Sequence, residues 1–195
     1  MSEKQAWEER YQGGRVGWER GVLHPALEDW LARELVPGPR VLVPSCGRSP
    51  EVAELARRGY EVTGLELAPS AVRDARAALE SAGLSGTIVE TDLFAWEPEA
   101  PFDALYEQTS LCAFDPARRA EYEERCARWL RPGGCMLGVF MQSNGTEPPP
   151  WPCPLEAMRA LYEPARWEWV DEPARRIEHP GRPDLHELTA RLLRR

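Results

Sequence analysis

"RVLVPSCGRSPEV", residues 40–52, decides the fold. Val41, Leu42 and Val43 form a short apolar run, and Pro44-Ser45-Cys46-Gly47 breaks it. Pro50 then opens a stretch whose apolar residues, Val52, Ala53, Leu55 and Ala56, recur at helical spacing until Gly59. The stretch reads as a buried strand, a tight turn and a helix. In open α/β sheets, ligands bind at such junctions, beyond the carboxyl ends of the strands. A dinucleotide needs room for its pyrophosphate, which a three-glycine fingerprint normally supplies. This loop offers only Gly47. A nucleoside without phosphates does not need that room.

The same alternation continues outward. Strands are expected at 40–46, 60–66, 87–92, 102–108 and 135–141, and helices at 6–11, 25–35, 50–58, 69–82, 116–130 and 155–162. "RPGG", residues 131–134, ends the 116–130 helix. Two closing strands, 166–171 and 186–193, have a Pro-rich link and no helix between them, which predicts an antiparallel pair at one edge. The β-α alternation predicts a mostly parallel sheet with helices on both faces. Residues 143–154 form a loop rich in proline, long enough to be a lid.

The chain has 195 residues, which suits one domain. Hydrophobic residues make up 43% and charged residues 29%, both ordinary for a globular protein. The net charge of −8 disfavours a nucleic-acid partner. Cys46, Cys112, Cys126, Cys135 and Cys153 include no C-x-x-C pair, so no disulfide framework and no metal site is expected. No apolar run approaches the roughly 20 residues that span a bilayer. The N-terminus is charged, without an apolar signal core. A cytoplasmic protein with no membrane contact is expected.

Four strand ends carry candidate residues. Ser45, Cys46 and Gly47 form the first. Glu66 follows Gly47 by 19 residues, the spacing at which an acidic residue binds ribose hydroxyls; a solvated carboxylate is the competing reading. Asp92 suits the amino group of adenine, with Leu93 and Phe94 against the ring, or else a helix N-cap. Tyr106 and Glu107 would reach the middle of a ligand, while Leu111, Cys112 and Phe114 read as core. His24, His179 and His186 are scattered, and His24 is either an ordinary helix-start residue or an acceptor contact.

At this point the chain resembles the class I S-adenosylmethionine-dependent methyltransferases of the thiopurine S-methyltransferase family, which includes halide and thiol methyltransferases. "AWEERYQGGRVGWERG" (6–21) resembles its W-x-x-R-[WY] segment, residues 40–72 its V-P-x-C-G…G-x-[DE]-x-S core, and residues 106–134 its L-x-A-x-x-P-x-x-R-x-x-Y segment. The resemblance runs from about Trp7 to Met141. It implies a three-layer Rossmann-like fold, with a seven-stranded, mostly parallel sheet and an antiparallel edge strand. Residues 1–36 would be a helical cap over the cofactor. S-adenosyl-L-methionine would be held by Trp7, Tyr11, Trp18, Ser45, Cys46, Gly47, Glu66, Asp92, Leu93, Glu107 and Arg119. The chain departs from the family pattern at Ser45, at Glu107 and at Glu147 in the lid motif.

Transfer from a sulfonium needs alignment and exclusion of water more than acid–base help. A thiol with a pKa of about 8.5 is partly ionised near neutrality. No catalytic residue is therefore assigned, with Tyr11 and Arg119 the candidates. The expectation is methyl transfer to a small soft nucleophile, a thiol first, by a monomer. An oxygen, nitrogen or halide acceptor is the alternative, as is a binding module without turnover.

Overall fold

The computed structural model describes residues 2–48, 50–143, 148–180, 182 and 184–195. Two helices come first, α1 (Glu3–Gln12) and α2 (Pro25–Ala32). The Ser2 hydroxyl caps α1 by accepting from the Gln5 N–H, so the helix starts three residues before the expected Ala6. Then follow β1 (Arg40–Val43), α3 (Pro50–Arg57), β2 (Glu61–Glu66), α4 (Pro69–Ser81), β3 (Thr87–Glu90) and β4 (Phe102–Gln108). The last part holds α5 (Arg119–Trp129), β5 (Leu130–Gln142), α6 (Leu155–Leu161), β6 (Trp167–Trp169), β7 (Arg176–Glu178) and β8 (His186–Arg194).

Among the described residues the sheet has eight strands, in the order β3-β2-β1-β4-β5-β8-β6, with β7 also on β8. The expected count was seven. β7 was missed because three residues in a Pro-rich link, with only Ile177 buried, carry too little pattern. β1 to β5 pair in parallel. The closing strands do pair antiparallel, as β6 with β8, but β8 also pairs with β5 and so lies inside the sheet. β5 begins at Leu130, so the "RPGG" residues belong to the strand. A register shift opposite Phe102 and Ala104 accommodates them.

The sheet is apolar on both faces, as a parallel sheet between helices must be. Leu42, Leu65, Leu105, Met136 and Phe140 face one way, against Tyr122, Cys126 and Trp129 of α5. Val41, Val43, Ala104, Leu137 and Val139 face the other way, with Trp30 of α2, Leu55 of α3 and Leu79 of α4. Each such fully buried side chain contributes about 2 kcal/mol. This rigid frame fixes where the strand ends point. No helix among the described residues is long and apolar enough to cross a membrane.

Candidate functional site

A cavity of about 410 Å³ opens beyond the carboxyl ends of β1, β2, β3 and β4. That size is ordinary for a small-molecule site. Trp7, Tyr11, Trp18, Ser45, Cys46, Gly47, Glu66, Asp92 and Leu93 all line it. Glu107 and Arg119 do not appear in its wall.

The β1 turn is tightly built. Ser45 and Gly47 have φ of 46° and 55°, in the left-handed region. A Cβ on Gly47 would lie 2.6 Å from the Tyr11 hydroxyl oxygen, so the cap can approach this backbone only over a glycine. Ser45 adopts the same region with a side chain, at a conformational cost. Thr109, just after β4, does so too, with φ of 65°, and it also lines the cavity. A β-branched residue there is a clear backbone outlier, one that no sequence pattern announces. The Cys46 side chain points away, onto Gly64, whose Cβ would lie 2.6 Å from its sulfur. Burial pushes the Cys46 thiol well above its usual range, so it is no nucleophile.

Glu66 ends β2 and is buried. Its Oε2 accepts from the Gly47 N–H at 2.9 Å, and its Oε1 accepts from the N–H groups of Leu67 and Ala68 at 2.8 Å. Burial pushes its pKa up, and these three bonds pull it back in part. A carboxylate offers about four acceptor positions. The backbone takes three, leaving one on Oε2 for a ribose hydroxyl where the sequence suggested two. Asp92 is an N-cap: it accepts from the Phe94 N–H at 2.8 Å through Oδ1. It nonetheless lines the cavity beside Leu93 and Phe94.

Trp7 and Tyr11 of α1 and Trp18 after it cover this floor with an aromatic cluster, whereas α2, the later part of the expected 1–36 cap, packs on the face of the sheet. Trp18 stands edge-on to Trp7 and Tyr11, with ring centroids 5.4 and 5.5 Å apart. The Arg48 guanidinium lies over the Tyr11 ring and bonds both carboxylate oxygens of Glu19. Arg48 and Glu19 were missed in the sequence, where the only signal is their adjacency to Gly47 and Trp18. Aromatic faces beside carboxylates, one of them buried and two half-buried, suit a sulfonium cation. The cradle at Gly47 and the open position on Glu66 suit a nucleoside. The residues present thus fit S-adenosylmethionine.

Strand alternation explains Glu107. Tyr106 and Gln108 line the cavity, and the Tyr106 hydroxyl donates to Gln108 Oε1 at 2.8 Å. Glu107 projects to the opposite face. There it accepts from the Leu111 N–H at 2.6 Å. Arg119 is tied to the Pro152 carbonyl at 2.9 Å and to Cys153 Sγ. Burial pushes the Glu107 carboxyl up to about 7, against backbone bonds and the Arg119 charge that lower it. The folded state therefore holds this proton more tightly than the unfolded chain. The resulting stability is complete below about pH 4.5 and is lost as pH rises through about 7. Glu107→Gln is expected to abolish this decline, worth on the order of 3 kcal/mol. Urea midpoints between pH 5 and 8 measure it, and equal slopes for both proteins would remove the assignment.

His24 caps α2. Its Nδ1 accepts from the Ala26 N–H at 3.1 Å, so the ring proton sits on Nε2, which donates to Glu187 Oε2 at 3.0 Å. The ring is fully buried and does not line the cavity. In the loop after β5, Asn144 to Glu147 lie outside the described residues. The rest of the loop is tied down: the Trp151 N–H donates to the Cys112 carbonyl and the Cys153 N–H to the Met141 carbonyl. Pro149 and Pro150 line the cavity. Among the described residues, no group of three His, Cys, Asp or Glu side chains is placed to hold a metal.

Known proteins share this sequence pattern and this fold. Residues 2–177 match the thiopurine S-methyltransferase family. A thiopurine S-methyltransferase of Legionella pneumophila (strain Paris) is 28% identical over 193 residues, covering 90% of this chain and 87% of its own. A probable thiol methyltransferase 2 of Arabidopsis thaliana is 29% identical over 168 residues, covering 84% and 73%. Among solved structures, a 1,6-didemethyltoxoflavin-N1-methyltransferase of Burkholderia thailandensis has the same fold, with a TM-score of 0.79 and 21% identity over 98% of this chain and 86% of that one. It was solved with S-adenosylhomocysteine bound. The chain belongs to the thiopurine S-methyltransferase family and is an S-adenosylmethionine-dependent methyltransferase.

Proposed function

We propose that the enzyme methylates the sulfur of a small thiol. The sulfur acceptor is supported by the thiopurine and thiol methyltransferases that the chain resembles, and the placing of the cofactor by the order of the strand ends along the cavity. Asp92 follows β3, Glu66 ends β2 and Gly47 follows β1, so adenine, ribose and the amino-acid part would lie on successive strands. The cavity continues past Gln108 to Met141 of β5 and Leu185 before β8, which leaves room for an acceptor.

S-adenosylmethionine supplies a methyl group already activated on its sulfonium. The chain supplies alignment. Glu66 and the Gly47 loop would hold the nucleoside, and Trp7, Tyr11 and Trp18 would face the cation and keep water out. A thiol that loses its proton to solvent before it binds would take that methyl group as a thiolate, with no base needed from the chain. Buried Tyr11 holds its own proton firmly, because burial and the Glu66 charge raise its pKa; it orients rather than deprotonates. Glu107 and Arg119 would act on the site only through the β4 end and the loop at Pro152. The N-terminal cap and the described part of the 143–154 loop fit a cover for the site. The acidic charge and five free thiols fit a cytosolic enzyme acting on small molecules rather than on nucleic acid.

Calorimetric titration with S-adenosylhomocysteine, with NADH as control, tests the cofactor site, and turnover of 2-mercaptoethanol against phenol tests the acceptor. Binding with turnover of phenol alone would replace the thiol reading. Trp18→Ala is expected to lower turnover about thirtyfold, the worth of a desolvated cation–π contact. Its melting temperature should move little, since Trp18 is only partly buried. A large drop in melting temperature with normal activity per folded molecule would make Trp18 structural.

A further inference from the structure

Arg20 is a buried cation for which the reaction above has no use. It lines the cavity, yet its side chain is only 6% exposed. Both of its bonds leave through Nη2, to Glu187 Oε2 at 2.6 Å and to the Glu178 carbonyl at 2.8 Å. Its Nε is buried without a partner. A guanidinium carries five N–H donors in a rigid fork, so three remain unspent. An unpaired buried donor is costly, and a ligand in the cavity is the available remedy.

The guanidinium is also held in place. Glu187 lies on β8 between Met141 of β5 and Ile177 of β7. Burial pushes its carboxyl up, but the bonds from His24 and Arg20 outweigh burial and keep it below its ordinary value. His24 is itself locked by the Ala26 N–H. Glu51, the carboxylate that also lines this end, accepts the His24 N–H at 2.8 Å. Arg20 is thus a rigid donor rather than a loose surface arginine.

Its position is the acceptor's. From β2, which carries Glu66, to β8, which carries Glu187, there are four strand spacings, about 19 Å in all. Val22, His179, Arg182 and Leu185 share this end of the cavity. Val22 is 63% exposed, the one large apolar side chain so exposed among the described residues. An apolar face beside a fixed guanidinium suits a ligand with a hydrocarbon body and an anionic tip. A chain of net charge −8 repels anions in general, so taking one needs a dedicated cation.

We infer that Arg20 selects a methyl acceptor bearing an anionic group, a thiol carrying a carboxylate in preference to a neutral or cationic thiol. This rests on the methyl-transfer reading above. The guanidinium does not touch the reacting sulfur; it fixes the far end of the acceptor so that the sulfur lies in line.

The test uses products, whose charge does not depend on a thiol pKa. (Methylthio)acetate, 2-(methylthio)ethanol and 2-(methylthio)ethylamine are titrated into the wild-type enzyme saturated with S-adenosylhomocysteine. The acetate is expected to bind about tenfold more tightly than the alcohol, the worth of one charge-assisted bond, and the amine most weakly. Arg20→Gln should erase the preference and Arg20→Lys should keep part of it, both with wild-type affinity for S-adenosylhomocysteine. No preference in the wild type, or no binding of any of the three, overturns the inference, and neither result needs a variant to fold. An Arg20→Gln protein that loses S-adenosylhomocysteine affinity also overturns it, by assigning the guanidinium to the cofactor's carboxylate. Failure to turn over any thiol, with the acetate still preferred, would strike the thiol reading and leave the anion site standing.

Discussion

Replacing Glu66 by alanine is expected to weaken S-adenosylhomocysteine binding by about a hundredfold and to lower stability at the same time. The carboxylate ties the β1 turn to the β2 turn through the N–H groups of Gly47, Leu67 and Ala68. Without it, three donors lose their acceptor, each at a cost of about 1–3 kcal/mol where water does not reach. The ribose would lose the free position on Oε2, and the Gly47 backbone would lose the bond that holds it. Loss of one charge-assisted bond accounts for about tenfold and loss of the preformed turn for about another tenfold. Calorimetry on the folded fraction, beside a thermal melt, separates the two effects. Unchanged affinity in a destabilised protein would make Glu66 a purely structural tie.

The second large effect is expected at Glu187. Glu187→Ala strands a buried guanidinium and a buried imidazole, and breaking such a pair costs about 3–5 kcal/mol. For a chain of this size the melting temperature should fall by roughly 10 °C. The double variant Arg20→Leu with Glu187→Leu should recover the part of that loss owed to the guanidinium, while the part owed to the His24 Nε2–H, still without its acceptor, remains. Urea unfolding of the single and double variants measures the coupling. A loss under about 1 kcal/mol in the single variant would place the pair among weak surface-like contacts.

The parts of the fold that the sequence made legible rest on local signals. Apolar runs marked the five parallel strands, and Pro50, Pro69 and Gly59 marked helix ends. Glu66 was legible because its spacing from Gly47 follows from one β-α-β unit. What was not legible depends on register between distant segments. Arg20 and Glu187 are 167 residues apart, and only the pairing of β8 with β5 and β7 brings them together. β7 exists because β8 offers it an edge, not because three residues prefer a strand. Glu107 was expected at the cavity because it stands near the carboxyl end of β4, but the period of β4 turns it to the other face. His24 was expected either to cap a helix or to touch an acceptor. It caps α2, and its second nitrogen meets a carboxylate that no local pattern could supply.

The order of strands across the sheet also bears on how such an enzyme diversifies. The strand ends beside Gly47, Glu66 and Asp92 lie in the first half of the chain, and those beside Met141 and Glu187 lie near its end. On the proposed arrangement, substitutions that recruit a new acceptor collect in the later segments, while the earlier ones stay under selection for one invariant ligand. The segment from Gly17 to Val22 escapes this division. It runs from Trp18, packed on Tyr11, to Arg20, anchored on β8. A replacement at Trp18 bears on one ligand and a replacement at Arg20 on the other, so demands from both ligands meet within this short stretch and leave it little freedom to drift.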